Sequence, residues 1–280
     1  MCGFLVEKPK WSKSSVRAMS KRIRHEDPYD EDLFWQVIER AETINKHVTP
    51  IVSGVVAAAG LTELEPGDDL LGPGFNTGVF VLSSRAKTKT TTIEKLKRQH
   101  TSIDRVDDMS GIRIDAAITL TKQSTLAQEL ADALENAGAT RHRIKDHRDQ
   151  PQSGYRAVHV VAEFPAGRVE VQIRTAIQSL WANTYEVLAD KFGRRIRYGD
   201  WESLKSPVDR NRVELLHDLS DVIYAFERSV DHFKHFGRDS IEQKEAEEIE
   251  HGHAEIVRKI EELLGSMRPD VPTHQKRAAH

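Results

Sequence analysis

The sequence predicts an α/β fold in which helices pack on a mixed β-sheet and further helices extend from both ends. Three observations support this prediction. Short apolar runs of strand length follow one another between residues 79 and 174. Segments with helical periodicity separate several of these runs. Helical spacing also fills the chain before and after them. With 280 residues and 38% hydrophobic content, the chain can bury one good core.

A long helix is predicted at 30–60, where apolar residues recur at three- and four-residue spacing: Leu33, Val37, Ala41, Ile44 and Val48. Pro50 is expected to break or kink it, because proline lacks the backbone N–H that a helix interior needs. The following segment, 63–78, contains several glycines and prolines and is predicted to be a loop or boundary.

The predicted strands lie at 79–82, 111–118, 156–164 and 168–174. A short helix at about 91–99 separates the first two strands, and a helix at 122–137, ended by Gly138, separates the second and third. Pro-Ala-Gly between the last two strands predicts a hairpin turn. Beyond Thr175 the spacing is helical again, and two more helices are predicted at about 208–235 and 239–265.

These elements divide the chain into three predicted regions: an N-terminal helical region and loop at 1–78, a catalytic domain at 79–200, and a C-terminal helical extension with a disordered tail at 201–280. No apolar stretch reaches the roughly 18 residues that cross a bilayer, and the N-terminus lacks the apolar part of a secretory signal. A cytoplasmic location without membrane association is therefore expected. The single cysteine, Cys2, excludes an internal disulfide and a multi-cysteine zinc site.

Charge is unevenly distributed along the chain. The net charge is −3, yet residues 85–113 hold eight Lys/Arg and only four Asp/Glu. A basic block on a mildly acidic protein favours a polyanionic substrate over general coating of nucleic acid, for which the whole domain is usually basic. A solvated, charged helix face is the alternative explanation.

Chemistry-bearing residues cluster around the predicted strands. The period of two in RVEVQIRT places Arg168, Glu170, Gln172 and Arg174 on one face of a strand. If the neighbouring strands converge on that face, the site gains carboxylates for a metal, cations for phosphates and an aromatic ring for a base. Phosphoryl or pyrophosphoryl transfer needs such a set. A sheet that is merely wet on one side would show the same alternation, and no Walker A loop is present.

Taken in order, RAK…EKL, DDMSGIR, SGYRAVH and VEVQIRT resemble the synthetase domain of the RelA/SpoT family, the nucleotide pyrophosphokinases that make (p)ppGpp. The resemblance covers about 79–192. It implies a nucleotidyltransferase-like fold, with Mg²⁺ as cofactor. The implied reaction transfers the β,γ-pyrophosphate of ATP to a ribose 3′-hydroxyl of GDP or GTP and releases AMP. The chain has no room for the family's hydrolase domain or regulatory tail, so a small stand-alone synthetase is expected.

The resemblance also assigns roles to individual residues. Asp108 and Glu170 match the carboxylates associated with Mg²⁺, and Glu170 is also placed to help deprotonate the attacking hydroxyl. The remaining assignments divide between the two substrates. For ATP they are Arg85 and Arg113 around the adenine and Lys87 and Lys95 on the phosphates; for the acceptor they are Tyr155 stacked on its base, with His159 and Gln172 as polar contacts. Arg174 and Thr175 are expected to support the site rather than touch substrate.

One departure from the family pattern leaves the acceptor open. Members that use GDP or GTP commonly carry a lysine just before the Gly-Tyr pair, where this chain has Gln150-Pro151-Gln152-Ser153. Lys145 and Arg148 are the candidate substitutes for that lysine. Alternatively, the protein is a toxin that pyrophosphorylates the 3′ CCA end of tRNA, or an enzyme that makes adenosine alarmones.

The expected partners follow from these alternatives: ATP with a guanosine nucleotide or a tRNA 3′ end, an antitoxin protein under the toxin hypothesis, and a second copy of the chain if the enzyme is a homo-oligomer. A third hypothesis, a catalytically dead nucleotide- or RNA-binding relative, is disfavoured because Asp108 and Glu170 are both present. The pair His217-Asp218 lacks the other metal ligands of a hydrolase and is expected to be ordinary helix surface.

Overall fold

The computed structural model describes residues 3–65, 68–71, 76–236 and 243–265, with a six-stranded mixed sheet at its centre in the order β1-β2-β3-β6-β5-β4. The strands are Thr62–Glu63 (β1), Val79–Ala86 (β2), Ser110–Ala116 (β3), Arg141–Asp146 (β4), Val158–Phe164 (β5) and Gly167–Thr175 (β6). The helices are Lys13–His25 (α1), Glu31–Ala58 (α2), Lys89–Gln99 (α3), Leu120–Asn136 (α4), Ala176–Phe192 (α5), Pro207–Phe236 (α6) and Gln243–Gly265 (α7). The α/β prediction with helical extensions is confirmed.

The two faces of the sheet differ in chemistry because the strands alternate apolar and polar residues. Val169, Val171 and Ile173 of β6 are fully buried with the apolar sides of α2 and α4. The same core takes Ile112 and Ile114 of β3. These contacts cover one face with helices, so the polar residues of the same strands collect on the opposite face.

The helix α2 runs through Pro50 without ending there, so of the predicted break or kink the break is wrong. Pro50 is exposed, whereas Val48 and Val52 on either side are fully buried against the sheet. The ring therefore lies on the solvent side, where water can hydrogen-bond to the carbonyl that a missing N–H leaves unpaired. Burial of the apolar stripe holds the helix together across the proline.

Three elements are not predicted from the sequence: α1, β1 and β4. The strand β4 contains a single strongly apolar residue, Ile144, and its side chains alternate as Arg141, Arg143 and Lys145 on one face. It pairs antiparallel with β5, which supplies the apolar surface that β4 lacks. The two-residue β1 pairs with β2, so the region predicted at 1–78 contributes to the same sheet.

The other predicted elements are confirmed within a few residues. The hairpin between β5 and β6 is present, with Phe164 paired to Gly167. The predicted helix at 239–265 begins at Gln243, and its residues 239–242 lie outside the described ranges. Apolar residues of α5, α6 and α7 form a second core, which includes Trp181, Leu216 and Ile260. No helix within the described ranges is both long and apolar enough to cross a membrane.

Candidate active site

The polar face of the sheet brings the predicted residues of five strands into rows. One row across β2, β3, β6, β5 and β4 runs Arg85, Gly111, Glu170, Val161 and Arg143. The next row runs Ser83, Arg113, Gln172, His159 and Lys145. Directly paired residues in neighbouring strands point to the same side of a sheet. Candidate ATP-side and acceptor-side residues therefore share one surface, with Glu170 in the central strand β6.

Asp108 lies at the entrance to β3, in a short 3₁₀ turn, and is held by two lysines. Lys87 Nζ is 2.8 Å from Asp108 Oδ2, and Lys95 Nζ is 2.7 Å from Asp108 Oδ1. Burial alone would raise the pKa of Asp108, but the two ammonium groups outweigh it and lower the pKa below its ordinary value. The structure thus joins three predicted residues into one cluster with a net positive charge.

Glu170 is the buried carboxylate of the polar face, 6% exposed, and side chains of two strands orient it. Gln172 Nε2 donates to Glu170 Oε2 at 2.9 Å, and His159 Nδ1 lies 3.3 Å from Glu170 Oε1. Burial raises the pKa of Glu170, but the hydrogen bonds from His159 and Gln172 outweigh it, so the net shift is downward. Glu170 is therefore ionised at neutral pH.

His159 joins Glu170 to Tyr155. The Tyr155 hydroxyl is 3.0 Å from His159 Nε2. All three groups are satisfied when Nδ1 carries the imidazole proton and donates to Glu170, while Nε2 accepts from Tyr155. His159, expected to touch the acceptor, is thus a buried link between two other site residues.

The guanidinium groups of Arg85 and Arg113 have no hydrogen-bonded or ion-paired protein partner among the described residues. Arg85 is exposed on β2, and burial lowers the pKa of Arg113, aided by the nearby charges of Arg174 and Arg85. Gly111 is the direct neighbour of Arg85 across the strands. A Cβ at Gly111 would meet only the Arg85 carbonyl, at 3.4 Å. The sheet surface at Gly111, beside the two arginines, therefore has space for a flat ligand.

Asp107 organises a second cluster of cations, which consists of Arg143, Lys145 and Arg168. Its carboxylate accepts from Arg143 at 2.5 Å and from Lys145 at 2.9 Å, and Arg168 approaches to 3.4 Å. Lys145, predicted on the acceptor side, therefore lies on the site face but is paired. Arg143 could be found from sequence only by the alternation of cations along β4, because that strand lacks an apolar pattern.

Arg174 and Thr175, expected to support the site, make their contacts within the protein. Arg174 is 1% exposed, and its Nε and Nη2 donate to the two carboxylate oxygens of Asp115 at 2.8 and 3.0 Å. Thr175 forms a capping box with Gln178 at the start of α5. These contacts fix the end of β6, the strand that carries Glu170.

Tyr155, expected to stack on the acceptor base, also has packing partners within the protein. It is half-buried against the core of α5 and α6, and burial raises its pKa to about 12. Gly154 has φ +79°, and a Cβ there would lie 2.6 Å from Trp181 Cζ2. The glycine is therefore required by the turn and by Trp181, not by the approach of a ligand.

Two further expectations change with the structure. Arg148 donates to Asp146, to the Leu120 carbonyl at 2.9 Å and to Ser124 Oγ at 2.8 Å. Its guanidinium is thus engaged in tying the loop after β4 to the start of α4. His217 is not simple helix surface, because its ring stacks on Tyr185 at 5.6 Å and contacts Trp201 edge-on.

Asp108 and Glu170 are the two carboxylates whose chemistry suits Mg²⁺. The pKa of each lies below its ordinary value, so both are ionised at neutral pH. No group of three or more His, Cys, Asp or Glu side chains suited to a metal occurs in the described part of the chain. One or two carboxylates completed by substrate phosphates are the usual protein ligands of Mg²⁺.

A separate cavity of about 480 Å³ lies between α1, α2 and the β5–β6 hairpin. Two charged groups of its lining are paired within the protein: Arg40 Nε donates to the Ala166 carbonyl at 2.8 Å, and Asp104 pairs with Arg17 at 2.9 Å. Neither group is left to bind a ligand. The reactive side chains collect on the polar face of the sheet instead.

In comparison with known protein families, residues 84–190 match the family described as "Region found in RelA / SpoT proteins". Among curated proteins, an uncharacterized protein from Mycobacterium tuberculosis is 38% identical over 204 residues. The aligned region is 70% of this chain and 65% of that protein, so the chain spans just under two thirds of the relative's length.

Solved structures share the fold at low sequence identity. The small alarmone synthetase 1 from Bacillus subtilis, bound to its product pppGpp, superposes with a TM-score of 0.52 and 16% identity, covering 74% of this chain and 99% of that one. The small alarmone synthetase 2 from the same organism gives a TM-score of 0.50 and 16% identity, covering 72% and 98%. At this identity the likeness establishes the fold alone.

Proposed function

We propose that this protein is a RelA/SpoT-type nucleotide pyrophosphokinase that transfers the β,γ-pyrophosphate of ATP to a ribose 3′-hydroxyl, because residues 84–190 match the family described as "Region found in RelA / SpoT proteins". One observation carries the proposal. Asp108, a carboxylate held by two lysines at the entrance to β3, accompanies a sheet face that carries the buried, hydrogen-bonded carboxylate Glu170 and two arginines without protein partners among the described residues.

The arrangement divides the binding of ATP between two groups of residues. Arg85 and Arg113 offer flat cationic surfaces on which an adenine can stack, since guanidinium groups bind aromatic faces. Lys87 and Lys95 point at Asp108 and would bind the phosphate chain from the same position. Phosphoryl transfer depends mainly on such positioning and charge neutralisation.

In the proposed reaction, the acceptor's 3′-oxygen attacks the β-phosphorus of ATP. The bond between that phosphorus and the oxygen bridging to the α-phosphate breaks, and AMP leaves with the bonding electron pair. The proton of the hydroxyl passes to Glu170, which is ionised and therefore able to accept it. His159 and Gln172 hold the Glu170 carboxylate in one orientation while the proton moves.

Mg²⁺ held by Asp108 and Glu170 would neutralise negative charge on the transferred phosphates. Lys87 and Lys95, which pair with Asp108, would face the phosphate oxygens from the same position. The two lysines thus keep Asp108 ionised before substrate binds and face the phosphates afterwards.

For the acceptor we favour a guanosine nucleotide, with its base on the Tyr155 ring. A tRNA 3′ end is the second candidate. The observation behind it is the row of cations along the edge strand β4, Arg141, Arg143 and Lys145, which continues the site face to the edge of the sheet. Such a row suits a phosphate backbone, although Asp107 already pairs with two of its members.

Labelled ATP separates these acceptors. Purified protein is incubated with β,γ-labelled ATP and Mg²⁺ together with GDP, GTP, ATP alone or deacylated tRNA. We expect label in a guanosine product and release of AMP. Label in tRNA would show that the acceptor is the tRNA 3′ end and not a guanosine nucleotide. Label in an adenosine product would indicate adenosine alarmones. Absence of transfer to every acceptor would contradict the proposed activity.

A further inference from the structure

The loop between β4 and β5, residues 147–157, carries Tyr155 and has a strained turn. Ser153 has φ +50° and Gly154 has φ +79°, and the Tyr155 amide donates back to the Gln152 carbonyl at 3.0 Å. A non-glycine residue in the left-handed region costs free energy, so surrounding contacts must maintain the turn. Those contacts come largely from one helix, α6, which lies outside the residues that match the family.

Ser220 of α6 is the central contact. Ser220 is 2% exposed. Its Oγ donates to the Gly154 carbonyl at 2.5 Å and accepts from Arg156 Nε at 3.0 Å. Arg156 also pairs with Asp221 of α6, and its guanidinium donates to the Arg148 carbonyl within the loop. One serine hydroxyl thus bridges two loop residues on either side of Tyr155.

Two further residues of α6 extend this contact along the loop. The Tyr224 hydroxyl donates to Asp149 at 2.5 Å, and the Tyr224 ring lies under Arg156, 4.5 Å from its guanidinium carbon. One turn before Ser220, the Leu216 carbonyl accepts from Trp181 Nε1 at 2.6 Å. Trp181 in turn packs against Gly154. The spacing 216, 220, 224 places all these groups on one face of the helix.

We infer that this face of α6 is a positioning device for the acceptor: Ser220, Asp221 and Tyr224 fix the loop conformation that presents the Tyr155 ring to the acceptor base. The inference rests on the proposed function, because it assumes that Tyr155 binds the acceptor. ATP binding does not depend on it, since the candidate ATP residues lie on β2, β3 and α3 and, for Lys87, in the connection between β2 and α3. Loss of the contact therefore weakens binding of one substrate only.

The test compares Ser220→Ala and Tyr224→Phe with the matched control Asp231→Asn. Asp231 lies on the same helix and accepts from the Thr121 amide and hydroxyl at 2.9 and 2.7 Å, so it docks α6 on α4 without touching the loop. Tyr224→Phe keeps the ring under Arg156 and removes only the bond to Asp149, which provides a mild variant if Ser220→Ala does not fold.

We expect each loop-contact variant to raise the acceptor KM about tenfold, the effect of one buried hydrogen bond, with the ATP KM unchanged. Hydrogen exchange at the amides of residues 147–157 should accelerate, and that measurement needs no activity. Asp231→Asn should leave the acceptor KM and the hydrogen exchange of residues 147–157 unchanged. Unaltered exchange in both loop variants would overturn the inference, as would equal rises in both KM values. If no acceptor reacts at all, faster exchange still supports the positioning role while the proposed activity fails.

Discussion

At the scale of single residues, the site depends on how carboxylates are kept ionised in buried surroundings. Burial acts to raise the pKa of both Asp108 and Glu170, yet both pKa values are lowered. Lysines do this for Asp108, and hydrogen bonds from His159 and Gln172 do it for Glu170. The two mechanisms differ, so the two residues should respond differently to substitution.

Glu170→Gln should abolish transfer and leave ATP binding nearly unchanged. The amide is almost isosteric but can neither accept the hydroxyl proton nor bind a metal as a carboxylate does. Calorimetric titration with ATP and the labelled transfer assay measure the two properties. Glu163→Gln, a carboxylate on the same face that pairs with Arg168, is the control and should retain activity. Turnover of Glu170→Gln within tenfold of wild type would exclude Glu170 as the base.

Tyr155→Phe and Tyr155→Ala should separate the hydroxyl from the ring. Phenylalanine keeps the ring but leaves His159 Nε2 unpaired, so kcat should fall several-fold with little change in the acceptor KM. Alanine should raise the acceptor KM by one to two decades, since base–aromatic stacking contributes about 1–3 kcal/mol.

Because the ring also packs against α5 and α6, Tyr155→Ala should lower the melting temperature by several degrees. Steady-state kinetics for each substrate and thermal melts check both parts. An acceptor KM that stays at the wild-type value in Tyr155→Ala would remove Tyr155 from the acceptor site.

At the scale of elements, the strained turn and the helices that hold it depend on each other. Gly154 is pressed against Trp181 of α5, and its carbonyl accepts from Ser220 of α6. The loop is thus enclosed by helices that follow the sheet in the chain. This contact gives α6 a structural role that its own sequence, an ordinary amphipathic pattern, does not indicate.

Gly154→Ala should destabilise the protein more than Gly60→Ala does. Both glycines have nearly the same φ, +79° and +78°, but a Cβ at Gly60 meets no atom within 4 Å. The Gly60 variant therefore measures only the free-energy cost of holding an alanine backbone at positive φ, about 1–2 kcal/mol. Gly154→Ala should add about 1–3 kcal/mol for overpacking against Trp181. Urea unfolding measures the free energy of unfolding of both variants. Equal decreases would show that the Trp181 side chain can move aside without destabilising the protein.

At the scale of the whole molecule, one buried polar network joins the sheet to the C-terminal helices. Glu227 of α6, 1% exposed, accepts from Gln178 Nε2 at 3.0 Å and from the Thr175 hydroxyl. Gln123 of α4 donates to the Gln178 side chain at 2.9 Å. Burial raises the pKa of Glu227 to about 7, while its hydrogen bonds and the charges of Arg148 and Arg156 act in the opposite direction.

Glu227 should make the folded state less stable as pH rises. Its folded pKa lies above the ordinary value of 4.5, so between about 4.5 and 7 the folded protein holds a proton that the unfolded chain has released. This contribution to the free energy of unfolding is complete below about pH 4.5. It is lost as pH rises through about 7, and the whole effect is on the order of 3 kcal/mol.

Glu227→Gln should flatten this dependence, since glutamine does not titrate in that range. Urea unfolding at pH 5 and pH 8 measures the difference, with Glu214→Gln, an exposed residue of the same helix, as the control. A Glu227→Gln protein that loses as much stability between the two pH values as wild type would show that Glu227 does not titrate there.

The sequence alone determined the fold class and most of the strands and helices, and it named candidate site residues, most of which the structure places on one face of the sheet. This succeeded where periodicity is strong, as in β6, because alternation assigns Glu170 and Gln172 to one face without knowledge of the partners. It failed for β4, whose apolar surface comes from β5, and at Pro50, where burial of α2 outweighs the local effect of proline.

Only the tertiary structure decided which charged groups pair and which remain open to substrate. Asp107 and Asp108 are adjacent in the chain, yet one carboxylate pairs with cations of β4 and the other with Lys87 and Lys95. Likewise, Gly154 and Ser220 are 66 residues apart but share a hydrogen bond. Such pairings depend on distances between elements that are far apart in sequence, and local periodicity contains no information about those distances.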